Sequence, residues 1–219
     1  MTSRPANHDK RMRQRLALEA ARIMAEEAVS DYQLAKRKAA VRLGAADTRN
    51  LPRNAEIQQA LEEYLRLFKA GSQPAMLKKL RQTALQAMRL LQQFNPRLVG
   101  SVLSGTASEH SNINLHIFAN TPKDVVLFFM DQRIPCESVE KSLTLMDGSE
   151  ASYPAYRFTL QDVLVEVIVF GVDDIRQAPR SPIDSHAMKR ATLAAVEGLL
   201  YPLPPASEDA SSHGAKQSA

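Results

Sequence analysis

The spacing of hydrophobic residues changes once along this chain, at Asn95-Pro96, and that change limits the fold more than any other feature. Before it, apolar residues recur every three or four positions, the period of an amphipathic helix. After it, they fall in short alternating or continuous runs, the pattern of strands. A proline cannot continue a helix, and it pushes the residue before it out of helical conformation, so the switch is sharp. The expected class is α+β.

Residues 1–95 read as helices. Leu16, Ala20, Ile23, Met24 and Ala28 recur at helical spacing. Ser30 is a candidate cap for a short helix over Asp31–Leu43, with Gly44 as its stop. Asn54 is a candidate cap for a helix with the stripe Ile57, Leu61, Tyr64, Leu65 and Phe68, which Gly71 ends. Ser72 and Pro74 start another, with Leu77, Leu80, Ala84, Met88 and Leu91 on one face.

Residues 96–203 read as the α/β part. Strands are expected over Leu98–Leu103, Asn114–Ala119 and Glu137–Leu145. Thr121-Pro122 opens a helix through Val125 to Met130, and Asp147-Gly148 marks a turn. Tyr153–Leu160 and Val163–Phe170 flank Gln161-Asp162, which predicts a two-residue hairpin. In that register Leu160 pairs with Val163, and Arg157 lies opposite Glu166. A last helix is expected over Ser185–Leu200. The polar, proline-containing stretch 204–219 is expected to be disordered.

The bulk composition excludes several classes. No apolar run is long enough to cross a bilayer, and the opening residues do not read as a signal peptide. The lone Cys136 rules out an internal disulfide and fits a reducing, cytoplasmic setting. The net charge is +4, and residues 1–50 carry eleven Lys and Arg against six Asp and Glu. That excess, with the run Lys36-Arg37-Lys38, suggests contact with nucleic acid through the N-terminal helices, although a solvated helical face explains it equally well.

The segment most informative about chemistry is Val99-Gly100-Ser101-Val102-Leu103-Ser104-Gly105, followed by Ser111-Asn112-Ile113-Asn114-Leu115. A Gly-Ser turn lets backbone N–H groups approach phosphates closely. Residues two apart on a strand share a face. This arrangement resembles the signature of the nucleotidyltransferase superfamily, which includes the polymerase-β-like and minimal bacterial enzymes. There, a strand ends in Gly-Ser, a short helix begins, and the next strand carries Asp-x-Asp. The ten residues between Ser101 and Asn112 give a spacing close to that of the minimal enzymes, and Gly105 falls where they often place a second glycine. The resemblance covers about a third of the chain.

The resemblance implies a helical region, a small mixed-sheet nucleotidyltransferase-like domain and a C-terminal helix. It implies that Gly100, Ser101 and Gly105 hold a nucleoside triphosphate. It also implies that Asn112 and Asn114 occupy the metal positions, with Glu166 as the third, catalytic carboxylate. Paired carboxylates would bind magnesium there. Asparagine has the right shape but no charge, and Val102, Leu103 and Ser104 are neutral where the family carries basic residues. The expected function is therefore a degenerate member of the superfamily, a nucleotide- or nucleic-acid-binding or interaction module with little transferase activity and at most weak magnesium binding. Two alternatives stand beside it. One is an active metal-dependent nucleotidyltransferase using Glu166 and Glu109. The other is a helical nucleic-acid-binding protein whose α/β domain is only structural.

Glu166 has a second explanation in the residues themselves. It lies on a face with Leu164, Ile168 and Phe170, so a charge there needs a partner, and Arg157 across the hairpin supplies one. The family role and the ion pair are compatible.

Overall fold

A computed structural model describes residues 4–27, 29–46, 48 and 50–201. Ala28 and the expected disordered tail lie outside these residues. Four helices come first: α1 (Arg4–Glu26), α2 (Tyr32–Arg42), α3 (Asn54–Phe68) and α4 (Gln73–Leu90). Then follow β1 (Arg97–Val99), α5 (Gly100–Ser104), β2 (Ile113–Ala119) and α6 (Pro122–Asp131). The chain continues through β3 (Glu137–Thr144), β4 (Glu150–Leu160), β5 (Val163–Gly171), a 3-10 turn at Val172–Arg176 and α7 (Leu193–Leu200). The class is α+β, as the change of period implies.

The five strands form one mixed sheet in the order β1-β2-β5-β4-β3. Only β2 and β5 run parallel; every other neighbouring pair is antiparallel. The central position of β5 explains its continuous hydrophobicity, because both of its faces are covered. On one face Leu115, Ile117, Val165 and Val167 pack against Ala84 and Met88 of α4 and Phe129 of α6. On the other, Phe118, Ala155, Ile168 and Phe170 form a smaller cluster.

A separate core joins α1, α2 and α3 through Leu16, Ala20, Ile23, Ala35, Ala39, Ile57 and Leu61. The apolar face of α4 belongs to the sheet core, so packing divides the chain near Gly71 rather than at Pro96. Polar contacts join the two units. Gln58 Nε2 donates to Thr106 Oγ1 at 3.4 Å, and Asn54 Nδ2 donates to the Pro182 carbonyl at 2.7 Å.

Several local expectations are corrected. Asp31, not Ser30, caps α2, its carboxylate accepting from Leu34 N–H at 2.6 Å. Asn54 is the first residue of α3, and the Glu56 carboxylate accepts from the preceding Arg53 N–H at 2.6 Å. The strand expected over Leu98–Leu103 stops at Val99, because Gly100 takes φ +75° and turns the chain into α5. The final helix starts at Leu193 rather than Ser185. Thr192 caps it, and Ala191 is drawn into a bridge with Leu98.

The β4–β5 hairpin forms in the expected register, with Leu160 opposite Val163 and Arg157 opposite Glu166. Gln161 and Asp162 have φ of 50° and 62°, as a type I′ turn requires. Left-handed backbone costs residues with a Cβ about 1–2 kcal/mol, less for aspartate and nothing for glycine. Asp162→Gly is therefore expected to stabilise the protein by up to about 1 kcal/mol, once glycine's greater chain entropy is subtracted. A calorimetric melt should show a rise of roughly 2–4 °C. Gln161 should be left in place, since its Oε1 accepts from the buried Thr83 hydroxyl at 3.1 Å.

Candidate functional site

The Gly-Ser turn sits between β1 and β2, beside the edge of the sheet. Val99 pairs with Asn114, so Gly100 follows directly on that pair. A Cβ on Gly100 would lie 3.1 Å from Asn114 Nδ2, so both φ and space demand glycine here. Gly105 ends α5 with φ +88°, its N–H donating to the Ser101 carbonyl at 2.9 Å. Arg81 of α4 donates to the last carbonyls of α5, Val102 at 3.2 Å and Leu103 at 3.3 Å. Burial lowers the Arg81 pKa below the usual guanidinium range. The Gly100–Gly105 segment is thus braced by the helix packed on the sheet.

Asn114 pairs in parallel register with Glu166, which brings together the positions that the resemblance assigns to a metal ligand and to the third carboxylate. Asn112 lies just before β2 and is exposed. Glu109 is also exposed, beside His110.

Glu166 is 6% exposed, and cations hold both of its oxygens. Lys141 Nζ lies 2.8 Å from Oε1, and Arg157 Nε donates to Oε2 at 2.8 Å. Arg157 Nη1 also lies 4.0 Å from Glu137 Oε2. Arg157 stands out in the sequence as soon as the hairpin is recognised. Lys141 does not: it is opposite Tyr153 on β3, two strands away from Glu166, and only the sheet order brings it there.

This donor set does not suit magnesium. The ion takes near-octahedral oxygen ligands, normally including carboxylates. Here the single carboxylate already faces an ammonium and a guanidinium, and Asn112 and Asn114 add no charge. Among the described residues no three His, Cys, Asp or Glu side chains come together as a metal-binding group.

A second polar centre shares this face of the sheet. His116 is 1% exposed on β2, and its Nδ1 accepts from Arg190 Nε at 3.0 Å, which fixes the proton on Nε2. Burial, with the neighbouring guanidinium, pushes the His116 pKa down to about 3. Arg190 Nη1 donates to the carbonyls of Asp174, Ile175 and Gln177 at 3.0, 3.4 and 3.2 Å. Its guanidinium lies 5.2 Å from the Phe118 ring centroid and 4.7 Å from that of Phe170. No local pattern links residues 116 and 190.

The basic run is divided by its helix, which buries Lys36 and leaves Arg37 and Lys38 at the surface. Lys36 is 7% exposed, on the face of α2 that also buries Ala35, Ala39 and Ala40, and burial lowers its pKa. Lys38 pairs with Glu27 at 2.9 Å, and Arg37 is exposed. Successive residues point about 100° apart around a helix. The run therefore does not form one cationic patch.

No family model, curated protein or solved structure matches the chain.

Glu166→Ala should strand two cations and destabilise the fold by about 2–3 kcal/mol. That is below the 3–5 kcal/mol typical of a broken buried pair, because Arg157 and Lys141 are 32% and 34% exposed. Denaturant melts of Glu166→Ala, Arg157→Ala and the double variant should give a coupling above about 1 kcal/mol; strictly additive losses would exclude the pairing.

His116 gives a second expectation. Its folded pKa lies below the unfolded value of 6.5, so the unfolded chain binds the extra proton between those values. The stability contributed by neutral His116 is present above about pH 6.5 and is lost as pH falls toward 3. In His116→Gln the amide oxygen still accepts from Arg190 but does not titrate. Its melting temperature should fall less steeply over that window than that of the natural protein, and parallel curves would refute the assignment.

Proposed function

We propose that this chain is a degenerate nucleotidyltransferase-like protein that keeps the superfamily's layout but not its charge. It serves as a nucleotide- or nucleic-acid-binding or interaction module with little transferase activity. One observation carries the reading: Asn114 stands in register beside Glu166, and Glu166 is held by Lys141 and Arg157 at 2.8 Å each. Two-metal transfer needs several carboxylates to offset the metal charge and the triphosphate. This centre has instead a single carboxylate neutralised from within the protein. The Gly100–Gly105 segment still has the glycine conformations that let backbone approach a phosphate, with Ser101 inside it. Phosphate contact in this module would depend on that segment and not on a metal.

The direct test is calorimetric titration with nucleoside triphosphates, with and without magnesium, beside an assay for pyrophosphate release. The natural protein should show no gain in affinity from magnesium and no pyrophosphate above background. Asn112→Asp with Asn114→Asp should still gain no metal dependence, because Lys141 and Arg157 continue to occupy Glu166. Adding Lys141→Gln releases Oε1, and the triple variant should then bind triphosphate in a magnesium-dependent way. Magnesium-dependent pyrophosphate release by the natural protein would overturn the proposal.

A further inference from the structure

The N-terminal unit carries its surplus charge on the exposed α1–α2 face, which takes in Arg37 and Lys38 but not the buried Lys36, and this surplus is independent of the sheet site. Arg11, Arg15, Leu18 and Arg22 follow one another at spacings of four, three and four on α1, and all are exposed. Such residues are stacked one turn apart on a single helix face, roughly 5–6 Å between neighbours. Leu16, Ala20 and Ile23 occupy the buried side.

The neighbouring α2 extends this cationic surface. Arg42 reaches Glu19 at 3.3 Å and also pairs with Glu27. Glu19 accepts from Arg22 at 2.9 Å, and Glu27 pairs with Lys38 at 2.9 Å. The two glutamates thus form a ladder that fixes Arg22, Arg42 and Lys38 along the α1–α2 seam. Arg37 and Val41 sit beside it, and Arg37, Lys38, Val41 and Arg42 line a shallow groove of about 290 Å³. Glu26 also lies 4.0 Å from Arg22, so Arg11, Arg15, Arg22, Arg37, Lys38 and Arg42 outnumber Glu19, Glu26 and Glu27 by two to one.

We propose that the α1–α2 face binds the phosphate backbone of a nucleic-acid duplex, without reading its sequence. Five of its six cations are arginines, whose planar fork matches two phosphate oxygens at once. The exposed positions of α1 and α2 include no aromatic residue. A surface that gripped unpaired bases would offer rings for stacking. An interfacial helix would present a continuous apolar face to a membrane. Here the apolar faces of both helices are buried in the bundle core, and among the described residues the large apolar side chains exposed between the charges are Leu18, Leu34 and Val41.

The test is fluorescence anisotropy with the full chain and a labelled 20-base-pair duplex across a salt series. Nonspecific affinity in the range of about 1–100 µM is expected, falling steeply with salt. The triple variant Arg11→Gln, Arg15→Gln, Arg37→Gln should lose at least about tenfold in affinity. The slope of log affinity against log salt should drop by about 2–3, near 0.9 for each phosphate contact removed. A matched loss of three charges on the other unit, Lys78→Gln, Lys79→Gln, Lys123→Gln, should leave both nearly unchanged. Glu19→Gln should tighten binding. Absence of duplex binding by the natural protein would overturn the proposal. So would equal losses in the two triple variants, or binding to phosphatidylserine vesicles with none to duplex.

Discussion

A carboxylate on the central strand of a sheet must be neutralised where it stands, and the register of the α/β unit is tied to that requirement. Glu166 can meet Arg157 only if β4 and β5 pair as they do, and can meet Lys141 only if β3 extends the sheet beyond β4. A slip of one residue at either pairing would carry a cation to the opposite face, where Val165 and Val167 pack against helices. The uncompensated charge would then cost far more than any neighbouring apolar contact. The ion pairs therefore reinforce the alignment that the two-residue turn and the hydrophobic pattern already favour. The same two cations more than offset the single carboxylate of what resembles an acidic centre.

How far the sequence revealed this depended on whether the constraint was local. The hairpin register was legible because a two-residue loop between two apolar runs leaves only one pairing, and that pairing named Arg157 as the partner of Glu166. Helices α1, α3 and α4 were legible from their apolar stripes, and the shorter α2 from the turn residues that flank it. Lys141 was not, because its approach to Glu166 depends on the order of three strands. Arg190 was not, because 74 residues separate it from His116. The C-terminal helix is shorter than its sequence suggests because His186 to Arg190 resembles an ordinary polar helix start, while a bridge to Leu98 holds the following Ala191 outside the helix. The basic run misled for a simpler reason. Consecutive charges look like a patch in a line of text, but a helix points them in different directions.

The two units handle charge by different means. In the sheet, Glu166 and His116 are each held by specific partners, Lys141 and Arg157 for the first and Arg190 for the second. In the bundle, glutamates are placed between arginines so that repulsion along the α1–α2 seam is relieved while a surplus of cations stays at the surface. Strong like-charge clustering would otherwise oppose the packing of α1 on α2, whose interface is built largely from alanine.

Arg190 reaches back to the carbonyls of residues 174, 175 and 177, and Ala191 is bridged to Leu98. The segment between them is consequently a loop whose two ends meet at one guanidinium. Chain continuity across its middle, around Ile183 to His186, contributes little to holding either end in place. The loop is a natural position for new termini: a permuted chain opened there would keep β5 and α7 anchored to the same sheet.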